Sequence, residues 1–383
     1  MKVNKIEFES FRNIDSEVIE FSDGINVIYG ENAQGKTNIL EGIYLFARGK
    51  SFRAFKDKEL IKFDKNIAYA KMDFQVKDDI TTLGVEIPKI QAKRFYRNKV
   101  KVNKTAEIIG EFRAVLFCPS HLGIIKDAPA TRRKFIDVAI SQLRPVYLKM
   151  MTRYNQVLEE RNAILKMMPE ERMQNLELID IYSEELASLC ADIADIRNEY
   201  IKKLDFWVKI FFDEMTKGQE SPKITYEANV DKNDFESRES LKNRYLNLLK
   251  NNKEREFKFG ATLFGIHKDD LKIEINGKDS RLYSSQGQQR SLALAMKMAE
   301  GEISREQKGE YPVFLFDDVL SELDDNRKAY ILSNIKNRQV IITACDKSVF
   351  ENSDGCTFIN IENGQRKEIS LENSEETNDT EEN

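Results

Sequence analysis

Apolar positions divide the chain into three parts with different periods. Over residues 1–126 the apolar runs are short and often alternate with polar residues, which is typical of β-strands. Over residues 127–256 apolar residues recur at three- and four-residue intervals, and the run from Leu176 to Met215 predicts one long helix. After residue 257 short strands alternate with helices, which favours a parallel sheet covered by helices. We therefore predict an α/β fold that is interrupted by a helical segment.

This division predicts four segments. Residues 1–126 and 257–370 are expected to form two parts of one head, and residues 127–256 a helical arm. Forty helical residues would extend roughly 60 Å at a rise of 1.5 Å per residue. A compact helical domain is the alternative interpretation of the same segment. In residues 371–383 Leu371 is the only apolar residue, so this segment cannot form a core. We predict that it is a disordered acidic tail.

Composition and charge narrow the class of protein. The chain has 383 residues, of which 41% are hydrophobic and 33% charged, as expected of an ordinary soluble protein with a sizeable core. No apolar stretch approaches the ~20 residues of a membrane span, and the charged start does not resemble a signal peptide. Four scattered cysteines without a C-x-x-C pair indicate reduced thiols. We therefore expect a cytoplasmic protein without a membrane partner.

The net charge of −5 would argue against a nucleic-acid partner, but the tail accounts for it. Residues 372–383 carry six acidic residues and no basic one, so the remainder of the chain has a net charge of +1. A nearly neutral body neither supports nor excludes DNA binding.

An eight-residue stretch carries the first chemical signal. Residues 30–37 read GENAQGKT, the P-loop pattern of a glycine-rich turn that binds phosphate. The stretch follows an apolar run at 25–29 and precedes apolar residues at helical spacing, which is the context that this turn requires. Lys36 would interact with the β- and γ-phosphates, and the Thr37 hydroxyl would be a ligand of Mg²⁺. The predicted ATP-binding residues here are Gly30, Glu31, Asn32, Ala33, Gln34, Gly35, Lys36 and Thr37.

A second apolar strand supplies two carboxylates. In VFLFDD, residues 313–318, four apolar residues precede Asp317 and Asp318. These carboxylates stand at the carboxyl end of a strand, where α/β sheets bind ligands. We predict that Asp317 holds Mg²⁺ and that Asp318 orients or deprotonates the attacking water. A solvated strand end is the alternative interpretation.

The stretch YSSQGQQRSLALAM, residues 283–296, places a Ser and a Gly at the start of a predicted helix. It resembles the signature motif of ABC-type ATPases, and SELD at 321–324 resembles their D-loop. Together with SFR, RRKFID and GIHKDDL, the detailed forms SQGQQR and LFDDVLSELD resemble those of the RecF family of bacterial recombination mediators. The resemblance covers nearly the whole chain apart from the tail. It implies a nucleotide-binding signature at Ser285, Gln286, Gly287 and Gln288.

The resemblance implies a P-loop ABC-type ATPase head with an inserted helical arm, and ATP and Mg²⁺ as cofactors. In ABC-type proteins the signature of one subunit caps the γ-phosphate bound to another, so an ATP-dependent homodimer is expected. An ordinary helix N-cap is the alternative interpretation of Ser285 when the motif is taken alone. The family further implies DNA as a partner, RecR and RecO as protein partners, RecA loading, and roles in replication recovery and the SOS response.

Two departures from the ABC pattern bear on catalysis. Asp318 stands where many ABC ATPases have Glu, and the stretch IITACDK at 341–347 has no switch histidine. We therefore expect Lys36 and Asp318 to support slow, DNA-stimulated hydrolysis that acts as a switch. His121 and His267 receive no assigned role, and a structural histidine is the simpler interpretation of His267.

Basic residues mark two candidate DNA contacts. Residues 89–104 hold seven Lys or Arg and no acidic residue, interleaved with aromatic side chains, and a second cluster lies near residue 132. Such segments can neutralise phosphates independently of sequence, although a solvated edge strand has the same composition. The candidate contacts are Lys93, Arg94, Arg97, Arg132 and Arg133.

Other functions remain as alternatives. An SMC-like chromosome-organising head would need a much longer coiled coil, and an ABC transporter ATPase would need a surface that couples to membrane helices. An ATP-gated nuclease would need a further carboxylate-rich domain. The sequence therefore favours an ATP-dependent DNA-binding protein of recombinational repair, whose ATP-bound dimer binds DNA and whose hydrolysis releases it.

Overall fold

The computed structural model of the protein describes residues 1–335, 337–347, 350 and 355–367. The strands are β1 (Lys2–Phe11), β2 (Ile14–Glu20), β3 (Ile25–Tyr29), β4 (Ile67–Val76), β5 (Asp79–Pro88), β6 (Arg94–Arg97), β7 (Val100–Val102), β8 (Ala114–Phe117), β9 (Pro222–Glu227), β10 (Asp270–Ile275), β11 (Lys278–Asp279), β12 (Val313–Asp317), β13 (Val340–Ala344), β14 (Cys356–Glu362) and β15 (Gln365–Arg366). The helices are α1 (Lys36–Arg48), α2 (Pro129–Leu143), α3 (Pro145–Leu165), α4 (Pro169–Met173), α5 (Leu176–Thr216), α6 (Arg238–Asn251), α7 (Lys253–Phe259), α8 (Ser280–Tyr283), α9 (Gln286–Lys308) and α10 (Asp325–Asn334). The predicted acidic tail lies outside the described residues.

Two large sheets form the α/β part of the molecule. One is antiparallel, with the strand order β2-β1-β4-β5-β6-β7. The other has the order β15-β14-β3-β13-β12-β8, and its strands from β14 to β8 run parallel. The parallel sheet joins strands from the first and last thirds of the chain, which confirms the predicted α/β class.

The parallel sheet is buried on both faces, which explains its continuous apolar runs. On β12, Leu315 packs into a core shared with α1 and the antiparallel sheet. Its neighbour Phe316 packs into a core shared with α2, α3, α5 and α9. Successive side chains of a strand point to opposite faces, so alternate residues of VFLF pack into the two cores on either side of the sheet. Helix α1 therefore lies between the two sheets, and it follows β3 after the turn formed by residues 30–35.

The middle of the chain is mostly helical. The predicted run from Leu176 to Met215 is α5, a helix of 41 residues. Helices α2 and α3 are separated at Arg144, because Pro145 lacks the backbone N–H that a continuous helix needs. Strand β9, which the helical pattern did not predict, pairs with β10.

Helix α5 also packs against the head. Its buried side chains Tyr200 and Leu204 share a core with Leu292 and Met296 of α9, and Trp207 donates a hydrogen bond to a Glu306 carboxylate oxygen at 3.0 Å. The division into head and arm stays a prediction. No helix among the described residues is long and apolar enough to cross a membrane.

Candidate nucleotide-binding site

The turn between β3 and α1 has the backbone of an anion-binding loop. Gly30 has φ +147° and Gly35 has φ +110°, a region that side chains with a Cβ rarely adopt. A Cβ on Gly30 would clash with the carbonyl oxygen of Ile361, and one on Gly35 would lie 2.8 Å from Asn13 Oδ1. Both positions therefore need glycine for conformation and for space.

Lys36 lies inside this turn. Its ammonium donates to the carbonyl oxygens of Gly30 at 2.5 Å and Glu31 at 2.6 Å, and the residue is 7% exposed. Helix α1 starts at Lys36 and carries no acidic residue in its first turn. The positive end of the helix and the ammonium thus reinforce each other, which favours an anion at this turn.

The outer residues of the turn are held by distant segments. The backbone N–H of Asn363 donates to Gln34 Oε1 at 2.5 Å, and the N–H of Gly364 donates to the Gln34 carbonyl at 2.8 Å. Cys345 Sγ donates to Asn32 Oδ1 at 3.0 Å. Glu31, Asn32 and Ala33 are exposed. This part of the turn is therefore accessible to a ligand, although hydrogen bonds from distant segments hold it in place.

The predicted metal ligands meet across the sheet. The Thr37 hydroxyl donates to Asp317 Oδ1 at 2.6 Å, although the two residues are 280 positions apart in sequence. Asp317 is 6% exposed, and burial raises the pKa of its carboxyl, against the lowering effect of hydrogen bonds from Thr37 and Thr343 and of the Arg53 charge. A cation beside this carboxylate would offset the cost of burying it.

This donor set fits Mg²⁺ bound with a nucleotide. Mg²⁺ commonly takes one or two protein oxygens and fills its other positions with phosphate oxygens and water. The hydroxyl of Thr37 and the carboxylate of Asp317 supply such oxygens beside the predicted phosphate loop. Within the described ranges, no group of three or more His, Cys, Asp or Glu side chains could hold a metal by itself.

Asp318 has a different environment from Asp317. Its backbone is left-handed, with φ +50°, and its N–H donates to Thr343 Oγ1 at 2.9 Å. The same hydroxyl lies 3.1 Å from Asp317 Oδ1, so Thr343 connects both acidic residues. The carboxylate of Asp318 lies partly exposed beside the metal-ligand candidate. Its role as the base stays a prediction.

The signature residues start helix α9. Ser285 Oγ accepts from the Gln288 N–H at 3.2 Å, and Gln288 Oε1 accepts from the Ser285 N–H at 2.7 Å, which together make a capping box. The Gly287 carbonyl accepts from Arg327 Nη2 at 2.9 Å. Ser285 and Gln286 are exposed. The N-cap interpretation of Ser285 is thus confirmed, and it leaves the helix N-terminus open to solvent.

Sequence reasoning missed two residues near the acidic pair. Thr343 lies opposite Asp317 in the register of β12 and β13, and a polar residue inside the apolar stretch VIITA was the available signal. Arg53 lies close enough for its charge to lower the pKa of Asp317, and its Nη1 lies 3.5 Å from Asn38 Oδ1 on α1. Arg53 belongs to the SFR motif, which received no role from its sequence.

Three cations of the predicted DNA-contacting hairpin are paired with carboxylates. Lys93 Nζ lies 2.6 Å from Asp57, and this lysine side chain is only 10% exposed. The other two pairs are Arg94–Glu86 at 3.1 Å and Arg97–Glu111 at 2.5 Å, in which the arginine side chains are 35% and 56% exposed. Exposed pairs of this kind contribute little to stability and leave the arginines accessible.

The second basic cluster does not form an open surface. Arg132 is 3% exposed, and its guanidinium binds both carboxylate oxygens of Asp270, at 2.7 and 2.8 Å. It also donates to the Asp127 carbonyl at 2.7 Å. Arg132 is therefore an internal ion-pair residue and is withdrawn as a candidate DNA contact. Arg133 remains partly exposed and donates one hydrogen bond to the Asp269 carbonyl at 2.8 Å.

Most of the chain is similar in sequence to proteins of one known family. A family model described as the RecF/RecN/SMC N terminal domain matches residues 2–368. The DNA replication and repair protein RecF of Acetivibrio thermocellus is 37% identical over 352 residues, covering 92% of this chain and 95% of that protein. The corresponding RecF of Clostridium beijerinckii is 39% identical over 367 residues, with coverages of 95% and 98%.

Solved structures show the same similarity. A structure described as the recombination mediator protein RecF-ATPrS in the RecFOR pathway superposes with a TM-score of 0.89 at 37% identity, covering 96% of this chain and 98% of that one. The Smc head domain of Pyrococcus furiosus gives a TM-score of 0.55 at 19% identity, with 96% of each chain covered, which shows a shared fold.

Proposed function

The chain belongs to the RecF family, and from this membership we propose that it is an ATP-gated DNA-binding protein of recombinational repair. One observation carries the proposal. Thr37 at the start of α1 and Asp317 at the end of β12 form a hydrogen bond of 2.6 Å beside the Lys36 turn. The two candidate metal ligands therefore lie next to the phosphate-binding loop, which supports Mg²⁺ and ATP as cofactors.

In this proposal each residue of the site has a separate task. The ammonium of Lys36 would bind the terminal phosphates, and the oxygens of Thr37 and Asp317 would hold Mg²⁺, which would neutralise negative charge on the phosphate oxygens. The partly exposed carboxylate of Asp318 accepts a proton from the attacking water. Asp has a shorter side chain than the Glu of many ABC ATPases, so we expect hydrolysis to be slow and to act as a switch.

The signature is proposed to act between two copies of the chain. Ser285 and Gln286 are exposed at the N-terminus of α9, a helix of 23 residues. Ser285 Oγ already accepts from the Gln288 N–H, and the positive end of the helix still favours an anion at this exposed position. A γ-phosphate held by the Lys36 turn of a second copy has the charge that this end favours. ATP would then join two heads, and its hydrolysis would release them.

DNA is proposed as the partner of the ATP-bound dimer. The accessible guanidinium groups of Arg94 and Arg97 on β6, together with Lys99 and Lys101, supply positive charge for phosphates. Because the two arginines already have carboxylate partners, we expect each to contribute less than an unpaired cation. By family resemblance, RecR and RecO are proposed as protein partners that act with this chain before RecA is loaded.

The experiment tests dimerisation and DNA retention together. Gel filtration with ATP and Mg²⁺ should show a dimer that co-elutes with gapped duplex DNA. Ser285→Arg should bind ATP normally as a monomer and fail to dimerise, because its side chain blocks the open helix end. Ser333→Arg on α10 is the matched control at an exposed serine, and it should dimerise. Equal dimerisation by Ser285→Arg and the parent protein would reject the action of the signature between copies.

A second measurement tests the DNA surface. Reversing the charge of Arg94 and Arg97 to Glu should weaken DNA binding and make the plot of log affinity against log salt less steep. The control reverses Lys203 and Lys209 on α5, which likewise form exposed ion pairs. An unchanged slope for the hairpin variant would identify 94–97 as an ordinary solvated strand.

A further inference from the structure

A cleft lies at the end of α1 that is opposite the Lys36 turn. It has a volume of about 580 Å³ and is bounded by the C-terminal end of α1, by α2 and by α3. Helix α1 has 13 residues, so its two ends are roughly 18 Å apart at 1.5 Å per residue. The cleft is thus separate from the proposed ATP site.

Positive charge is concentrated on the lining of this cleft. Besides Arg197, the lining includes the cations Arg48, Lys50, Arg133 and Lys134, and Asp137 is the one carboxylate on it among the described residues. Asp137 is already used, because it pairs with Arg197 at 2.9 Å and accepts from the Tyr147 hydroxyl at 2.5 Å. The four cations therefore give the cleft an excess of positive charge.

Two of these cations, Arg48 and Lys134, line the same cleft and repel each other. Partial burial, and then the charge of Arg48, lowers the pKa of the Lys134 ammonium. A bound anion would relieve this repulsion between like charges. Arg133 is oriented by its hydrogen bond of 2.8 Å to the Asp269 carbonyl, which leaves other guanidinium donors available.

The remaining lining is apolar or neutral. Ile109, Leu148 and Met151 form an apolar wall. His267 has a pKa lowered to about 4 by burial, so it is neutral at pH 7, and its Nδ1 accepts from the Tyr154 hydroxyl at 2.6 Å. Cations beside an apolar wall, in a cavity of this size, match a ligand that has a phosphate and a planar apolar ring.

We propose that this cleft is a second nucleotide site, in which Arg48, Arg133 and Lys134 bind the phosphate of a single nucleotide unit and the apolar wall contacts its base. A free nucleotide and an unpaired nucleotide of a DNA strand present the same chemistry to the cleft. The proposal does not depend on ATP-gated dimerisation, because the cleft residues are distinct from those of the Lys36 turn and the signature.

The experiment uses the full chain carrying Lys36→Ala, which removes the phosphate partner at the proposed ATP site. Fluorescence anisotropy is measured with two probes, mant-ADP as a free nucleotide and a fluorescein-labelled oligothymidylate as a single strand. Saturable binding of at least one probe is expected, and the probe that binds identifies the source of the nucleotide. Absence of saturable binding for both probes would overturn the proposal.

Cleft variants localise the binding. Adding Lys134→Glu should weaken it about tenfold, the size expected for losing a charged hydrogen bond to phosphate. Lys149→Glu makes the same change at an exposed lysine of α3 that does not line the cleft, and it should have no effect. Equal weakening by both variants would show general electrostatic attraction and reject the site. Arg48→Gln is the second cleft variant, and it should reproduce the loss if Lys134→Glu alters the thermal unfolding midpoint.

Discussion

The two adjacent aspartates allow the proposed mechanism to be separated into binding and chemistry. Asp317→Asn and Asp318→Asn each remove one negative charge and keep nearly the same side-chain volume. Asn can still accept the Thr37 hydrogen bond through its amide oxygen, and Asn tolerates the left-handed backbone found at 318. Both variants should therefore fold, and their effects on ATP can be compared directly.

The two substitutions should change different quantities, ATP affinity for Asp317→Asn and the rate of hydrolysis for Asp318→Asn. Asp317 is 6% exposed, so its carboxylate is a poorly solvated partner for Mg²⁺, and a charged interaction of this type contributes about 1.5–3 kcal/mol. Since 1.4 kcal/mol is a factor of ten, Asp317→Asn should lower Mg²⁺-dependent ATP affinity by about 10- to 150-fold. Asp318→Asn should leave that affinity nearly unchanged and slow hydrolysis by about 10²- to 10⁴-fold, the usual contribution of a general base.

Three measurements on both variants test whether Asp317 acts in binding and Asp318 in hydrolysis. Calorimetric titration with ATP, with Mg²⁺ and with EDTA, gives the metal-dependent part of the affinity, and phosphate release gives the rate of hydrolysis. DNA dissociation after an ATP chase should be slower for Asp318→Asn, because its dimer keeps both ATP molecules. Hydrolysis at the parent rate by Asp318→Asn would show that another group is the base. Loss of hydrolysis with normal DNA release would instead reject the ATP-gated clamp.

Further predictions concern the phosphate loop and two buried groups. Lys36→Met should weaken ATP binding and abolish ATP-dependent dimerisation, and unchanged affinity by calorimetry would contradict the P-loop assignment. Arg161 and Glu256 are fully buried and paired at 2.6 Å, so Arg161→Met should lower the free energy of unfolding, measured in urea, by about 3–5 kcal/mol. Adding Glu256→Gln should recover part of this loss, because it removes the unpaired buried carboxylate. No recovery would show that the unpaired carboxylate is not the cause. In the folded protein burial lowers the pKa of His267 to about 4, below the ordinary histidine value of 6.5. Protons therefore bind the unfolded chain first, and stability from this group is lost as pH falls from 6.5 towards 4. The destabilisation by His267→Gln should therefore shrink by about 2 kcal/mol between pH 7.5 and pH 5, and a pH-independent difference would contradict the depressed pKa.

Several features could be predicted because they depend on residues that are close in sequence. The run from 25 to 40 contains a strand, two glycines with special backbone angles and a helix start, and all three are local properties of the chain. The same holds for the length of α5, which follows from a sustained helical period. The capping box at Ser285 spans only four residues, and its residue types already indicated a helix start.

Other features depend on which distant segments become neighbours. The sequence of residues 89–104 showed seven cations but not that Asp57 and Glu111 would pair with two of them. Likewise, nothing near Arg132 in sequence revealed that Asp270, 138 positions away, would bind its guanidinium and remove it from the surface. Such pairings are set by packing between remote elements, on which local periodicity carries no information.

The sequence by itself determined the elements and the residue types of the proposed ATP site, because a P-loop and an acidic strand end are short patterns with strong local requirements. Only the tertiary structure decided how they combine. The register of β12 against β13 places Thr343 opposite Asp317, and the packing of α1 between the sheets brings Thr37 to the same carboxylate. It also decided that the two ends of α1 face different surroundings, since the cationic cleft is formed by α2 and α3, which come from another part of the chain.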